Sequence, residues 1–209
     1  TDTATDDDPQ SIALRLVLWQ RLGRPSTEWE PLVTRIKSRQ HSDGGWSQAD
    51  GMASDAWATG QALYALAHAH IKPDDPVITR AHAFLIDTQR EDGSWGNPDT
   101  AAMLFRLGAM GFDSTFEPVR RGAEYLFSGQ RGDGSWDLSA ETVYDGKERA
   151  GYDMIPLQTA LPLCGLCACG YGTDSRTEKG LTWLLDNRLP DGAWPTGKSD
   201  NVYGYVAGY

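Results

Sequence analysis

Cationic side chains are scarce in this 209-residue chain: 19 Lys and Arg stand against 29 Asp and Glu, a formal net charge of -10 with the four His neutral. Phosphate recognition is largely supplied by cations, so this balance argues against nucleic acid or an anionic membrane as a partner. Cysteine is nearly absent, with Cys164, Cys167 and Cys169 crowded into one short segment. Their odd number and crowding argue against a disulfide framework. No apolar run approaches the roughly 20 residues of a membrane-spanning helix. The polar opening Thr1 to Asp8 shows no signal-peptide pattern, which favours the cytoplasm, and it reads as a disordered acidic tail before a single domain over residues 9–209. Apolar residues at 40% and charged residues at 23% exclude wholesale disorder.

What the chain has in excess is punctuation: 8 Trp, 23 Gly and 11 Pro in a sequence with long helical periodicity. Gln40-His-Ser-Asp-Gly-Gly-Trp46, Gln89-Arg-Glu-Asp-Gly-Ser-Trp95, Gln130-Arg-Gly-Asp-Gly-Ser-Trp136 and Asn187-Arg-Leu-Pro-Asp-Gly-Ala-Trp194 are four copies of one element. Their tryptophans lie 49, 41 and 58 residues apart, the scale of a helical-hairpin repeat. Each copy closes an amphipathic stretch: Ala81, Phe84, Leu85 and Thr88 follow the i, i+3, i+4, i+7 pattern, as do Gly122, Tyr125, Leu126 and Gly129. An Asp-Gly turn then stops the helix, with Gly supplying a positive φ.

After each turn comes a helix apolar on most faces, at 55–67, 99–109 and 156–168. A helix apolar all round is buried on both sides. Amphipathic helices alternating with apolar ones imply two concentric layers, the apolar set inside. With further helices near 9–22 and 27–40, the count is eight or nine, and no strand is expected.

At this point the residues resemble the QW motif of triterpene and diterpene cyclases of the squalene-hopene type, a group similar in its α/α toroid to the protein prenyltransferases. Arg80, Ala81, Phe84, Leu85, Gln89, Gly93 and Trp95 fill the pattern; so do Arg121, Gly122, Tyr125, Leu126, Gln130, Gly134 and Trp136. The fourth copy has Lys179, Gly180, Trp183, Leu184, Gly192 and Trp194 with Asn187 for Gln, and the first keeps Gln40, Gly45 and Trp46. The resemblance implies an all-α fold, an α/α toroid or an incomplete barrel of about nine helices. In it, a Gln amide over an indole face would bond free backbone groups at the end of one helix and the start of the next, making the tryptophans staples.

Chemistry in the protonating cyclases comes from Asp-x-Asp-Asp at the head of an inner helix, before a Thr-Ala-x-Ala-Leu stretch; clustered carboxylates in a dry cavity keep the acid neutral. No Asp-x-Asp-Asp occurs in the chain. Before Thr59 stands Asp55-Ala-Trp57-Ala58, before Thr100 only Asp99, and before Thr159 no acid. Asp55 and Asp99 are therefore the candidates for acid chemistry, each otherwise an N-cap. Asp74-Asp75 reads as a turn and helix cap, and neither it nor Asp6-Asp7-Asp8 has the Asp-Asp-x-x-Asp spacing by which ionising synthases bind magnesium. No cofactor is implied, with magnesium relevant only to a diphosphate substrate.

The prenyltransferase branch of the resemblance needs Asp, Cys and His on one zinc. Cys164, Cys167 and Cys169 read instead as buried small hydrophobes, and no metal site is expected. His68 and His70 close an inner helix, where a cation suits the dipole; His82 falls on an outer helix and His41 in a turn.

A cavity inside such a barrel would be lined from the inner helices and their N-terminal loops. The candidates for substrate contact there are Trp57, Tyr64, Phe105, Tyr144, Tyr152, Asp153, Tyr203 and Tyr205, with Met103 and Gln158 beside them. Aromatic faces stabilise carbocations or simply fill a core. The leading reading is a terpene-cyclase or prenyltransferase-like protein with an apolar cavity for a polyprenyl substrate. The alternatives are a non-catalytic lipid-binding or accessory toroid, whose open end a second domain or protein partner covers, and a secreted toroid acting on polysaccharide, for which paired carboxylates at a suitable spacing are missing.

Overall fold

The computed structural model describes residues 8–95, 99–137 and 155–194. Eight helices order the described residues: α1 Pro9–Arg21, α2 Ser26–Ser38, α3 Ala56–His68, α4 Pro76–Thr88, α5 Asp99–Ala109, α6 Glu117–Ser128, α7 Ile155–Ala168 and α8 Ser175–Asp186. No strand occurs among these residues, only isolated bridges at two of the turns, Trp46 with Asp55 and Gln130 with Trp136. Among the described residues no helix is long and apolar enough to cross a membrane.

Local chemistry explains the starts. Asp8 accepts from the Ser11 amide with Pro9 in the first turn of α1, Asp75 from Val77 with Pro76 opening α4, and Asp174 from Arg176 at α8. A side-chain acceptor satisfies an amide that has no partner in the first turn, and proline loses nothing there. Asp75 is thus the cap expected from its neighbours; the amide of Val77 and the ammonium of Lys37, 2.6 Å away, hold its carboxyl below the usual range.

The described residues form two compact units that divide between Glu91 and Asp92. In the first, α1 packs on α2 and α3, and α3 on α4, around Ile12, Leu16, Leu63, Leu66 and Ile78. In the second, α5 packs on α6 and α7, and α7 on α8, around Leu104, Leu107, Val119, Leu163 and Leu166. In the second unit the apolar helices α5 and α7 contact one another and the amphipathic α6 and α8 pack on them, the two layers expected from the periodicity; in the first, the apolar α3 packs on α1 and α4.

The α5–α7 contact is unusually close because glycine permits it. A Cβ on Gly108 would collide with the Ala168 carbonyl, and one on Gly165 with that of Ala101. Cys169, wholly buried, donates its thiol across the same contact to the Leu104 carbonyl at 3.0 Å. Burial pushes this thiol up to about 12. It is the small buried residue expected, whereas Cys164 is half-buried and Cys167 exposed. The correction follows from α7 itself: a helix apolar on every side carries no polar stripe to mark its open face.

Candidate functional site

The repeated turns set the inner helices in place. In all four turns the Asp carboxylate closes the bend by accepting from the amide two residues on: Asp43 from Gly45, Asp92 from Ser94, Asp133 from Ser135 and Asp191 from Ala193. The glycine between has φ of +91°, +90°, +102° and +91° at Gly44, Gly93, Gly134 and Gly192. Gly44 is therefore the motif glycine of the first copy, and Gly45 takes the place of Ser94 and Ser135. This corrects the assignment of Gly45 to that position: Gly44, like Gly93 and Gly134, stands two residues before the tryptophan.

The tryptophans do act as staples. The indole N–H of Trp46 donates to the Ile36 carbonyl at 2.8 Å, that of Trp136 to Leu126 at 2.7 Å and that of Trp194 to Leu184 at 2.8 Å. Each acceptor lies in the last turn of the preceding amphipathic helix. The Gln amide bridges backbone groups as expected, and the helix start it reaches is that of the next amphipathic helix. Gln40 Nε2 donates to the carbonyls of Gly44, in its own turn, and Val77, in the first turn of α4; Gln130 Nε2 donates likewise to Gly134 and Arg176. Arg80 completes the first joint by donating to Gln40 Oε1, and in the second unit Lys179 reaches the Gly132 carbonyl at 2.6 Å. Asn187, one methylene shorter, folds back on the Trp183 carbonyl of its own helix.

The motif's basic and small positions thus serve the preceding repeat. A Cβ on Gly44 would sit 2.5 Å from the Arg80 carbonyl, and one on Gly134 2.7 Å from that of Lys179. Gly122 faces the Trp95 ring, and Gly180 that of Trp136.

The first three turns also fasten the apolar helix that follows, through a residue whose role the sequence did not reveal. The backbone N–H of Trp46, Trp95 and Trp136 donates at 3.0 Å to the hydroxyl of Thr59, Thr100 and Thr159, all buried in the first turn or so of α3, α5 and α7. The separations in sequence are 13, 5 and 23 residues, so no fixed spacing signals the pairing. The Thr-Ala stretch is accounted for by this joint, independently of any acid motif.

At the head of α3, Asp55 has both oxygens engaged: Oδ1 caps the helix through the Ala58 amide at 2.7 Å, and Oδ2 accepts from Gln48 at 3.0 Å. Beside it, Ser54 bonds both Asp43 and His41 at 2.9 Å, which ties the 47–54 loop to the turn. Of Asp99 the structure describes its place as the first residue of α5. Tyr144, Tyr152, Asp153, Tyr203 and Tyr205 lie outside the described residues.

Among candidates for substrate contact, Trp57 and Tyr64 are half-buried on one side of α3, with Gln61 between them and His68 a turn further on. In the second unit Phe105, 45% exposed, stands on the open side of α5, and Leu161 is exposed on α7. Met103 is instead wholly buried in the core, opposite to its placement in a lining. His68 departs from expectation too: burial first, then Arg21 and His70, lower its pKa, so the end of α3 holds an imidazole that resists protonation. Among the described residues no group of three or more His, Cys, Asp or Glu is placed to hold a metal ion.

Residues 59–205 match the squalene-hopene cyclase C-terminal domain family. The chain belongs to this family. It is 30% identical over 220 residues to a squalene-hopene cyclase of Schizosaccharomyces japonicus, covering 92% of this chain and 33% of that one. It is 27% identical over 163 residues to lanosterol synthase of Candida albicans, covering 73% of this chain and 22% of the synthase. The chain thus spans a fifth to a third of the length of these curated relatives. Among solved structures, the type II terpene cyclase MstE from Scytonema, in complex with its product merosterolic acid A, is similar with a TM-score of 0.56 at 18% identity, over 93% of this chain and 60% of that one. That likeness is one of fold, the all-α toroid of the terpene cyclases.

Proposed function

We propose that this squalene-hopene cyclase-type domain holds a polyprenyl chain against the open faces of its apolar helices, and that Asp55 serves the helix rather than the reaction. The observation that carries this reading is the half-open side of α3, where Trp57, Gln61 and Tyr64 follow one another at helical spacing beneath a carboxylate whose two oxygens already accept hydrogen bonds. Aromatic faces offer apolar area and attract developing positive charge, a kcal/mol or two when desolvated, at about the scale that steers a carbocation without initiating one. Initiation needs a carboxylic acid that donates a proton, and Asp55 is arranged as an acceptor.

The test is incubation of the chain with farnesyl diphosphate, geranylgeranyl diphosphate and squalene, with and without magnesium, followed by product analysis and a thermal-shift scan. The reading expects a thermal shift with a polyprenyl compound, weakened by Trp57→Ala or Tyr64→Ala, and no cyclised product. A cyclised product abolished by Asp55→Asn or Asp99→Asn would reverse the assignment and make this chain a cyclase with an unorthodox acid. No shift with any of the three would end the polyprenyl reading.

A further inference from the structure

Four helices, α1, α3, α5 and α7, end alike. Each closes with a backbone bond from the residue immediately after a left-handed position: Arg24 to the Trp19 carbonyl, Ile71 to Leu66, Phe112 to Leu107 and Tyr171 to Leu166. At that position α1, α5 and α7 have Gly23, Gly111 and Gly170, with φ of +63°, +89° and +85°. After α3 stands His70 at φ +57°, the one non-glycine residue in this region among the described residues. Glycine closes the other three ends, so closure does not explain the imidazole, and a side chain kept in a disfavoured conformation points to a use for it.

His70 joins a cluster. Arg21, at the end of α1, donates to the Tyr64 hydroxyl at 3.1 Å, and the Tyr64 ring meets His68 edge-on at 4.6 Å between centroids. Arg21 and His70 are both near enough to His68 to oppose its protonation. Among the described residues none of Arg21, His68 and His70 forms an ion pair. Three basic groups therefore converge without a carboxylate in a chain of net charge -10. The carbonyl ends of α1 and α3 attract a cation, and Arg21 answers that attraction, but it does not require two more basic groups. Leu14, Leu18 and Leu22 are exposed at four-residue spacing along α1 and lead to the same end.

We infer that Arg21, Tyr64, His68 and His70 form a binding site for a diphosphate head group, that of a polyprenyl diphosphate whose tail follows the apolar side of α1 and α3. This rests on the polyprenyl reading above and adds the head-group chemistry. The Arg21 guanidinium supplies charge and a fork of donors, and the imidazole N–H groups and the Tyr64 hydroxyl supply further donors. The thirteen residues of α3 place the cluster about 20 Å from Asp55. Inorganic pyrophosphate presents the same chemistry without the tail.

Calorimetric titration of the full chain in the presence of EDTA, with geranylgeranyl diphosphate, geranylgeraniol and inorganic pyrophosphate, tests the site. Geranylgeranyl diphosphate is expected to bind at least tenfold more weakly to Arg21→Gln and to His70→Gly than to the parent, and geranylgeraniol to bind all three alike. His70→Gly installs the residue that ends the other three helices, so loss of binding there does not arise from misfolding. Pyrophosphate binding that both variants weaken, with no binding of either polyprenyl compound, would support the anion site and overturn the polyprenyl reading. Geranylgeraniol binding as tight as that of its diphosphate, or diphosphate binding that neither variant changes, would overturn the site and leave the polyprenyl reading standing. No binding of any of the three would overturn both.

Discussion

Gln130 reaches across 46 residues of sequence to donate 2.8 Å to the carbonyl of Arg176, while the same amide nitrogen bonds Gly134 in its own turn. One side chain thereby fixes the start of α8 to the turn that ends α6. Removing it leaves two carbonyls short of a donor. Gln130→Ala is expected to lower unfolding stability by about 1–3 kcal/mol, the net worth of two part-buried hydrogen bonds. Asn187→Ala, which removes a bond within one helix, is expected to stay within about 0.5 kcal/mol of the parent. Urea midpoints of the two variants, compared at constant slope, check the contrast.

The turn glycines separate conformational cost from steric cost. Gly134 at φ +102° and Gly192 at φ +91° share a conformation, but a Cβ on Gly134 meets the Lys179 carbonyl at 2.7 Å whereas one on Gly192 meets nothing within 4 Å. Gly192→Ala should cost about 1–2 kcal/mol, the left-handed penalty alone. Gly134→Ala should exceed it by about 1–3 kcal/mol, because backbone must move. Equal midpoints for the two variants would remove the close approach as a cause.

The hydroxyl of Thr159 receives the Trp136 amide in a wholly buried setting. Thr159→Val keeps the shape and deletes the acceptor, so a loss of about 1–3 kcal/mol is expected, with Thr159→Ser recovering most of it. Hydrogen exchange at the Trp136 amide would quicken in the valine variant and not in the serine variant.

Stability should fall as solution turns mildly acidic. Burial lowers the pKa of His82, and burial, Arg21 and His70 lower that of His68, both from 6.5. The unfolded chain therefore binds more protons, so the contribution of these neutral imidazoles is complete above about 6.5 and is lost as pH falls from there through their folded values. A second loss begins below about 4, where Asp75 and Asp174, held low by Lys37 and Arg176, take up protons. Urea midpoints measured from pH 8 to pH 3 should decline in these two steps, and His68→Gln should shrink the first.

Much of this was legible in the residues. α5 runs over Asp99–Ala109, as its periodicity predicted, and α4 begins at Pro76 rather than Arg80 because Asp75 and Pro76 form a cap that the apolar spacing alone does not include. The two layers of the second unit follow from amphipathic helices alternating with apolar ones. The tryptophans were legible as staples because a repeated aromatic beside a turn has an evident structural use. The exchange between repeats was not, since Arg80 and Lys179 sit in one copy of the motif and serve another.

The same limit held at the candidate site. The absence of Asp-x-Asp-Asp is a property of the sequence, whereas the engagement of both Asp55 oxygens appeared only once Gln48 and Ala58 were placed around it. Met103 and Phe105, two residues apart on α5, could not be sorted into core and open face by composition, and the structure buries the first and exposes the second.

The amino-acid order by itself determined the helices, their turns and the family, because caps, turn glycines and apolar spacing act over a few neighbouring residues. Tertiary structure alone decided which threonines anchor the apolar helices, and that Arg21, Tyr64, His68 and His70 meet. Those relations join groups far apart in the chain, and only the packing of one helix on another brings them within the few ångströms at which hydrogen bonds, ring contacts and charges act.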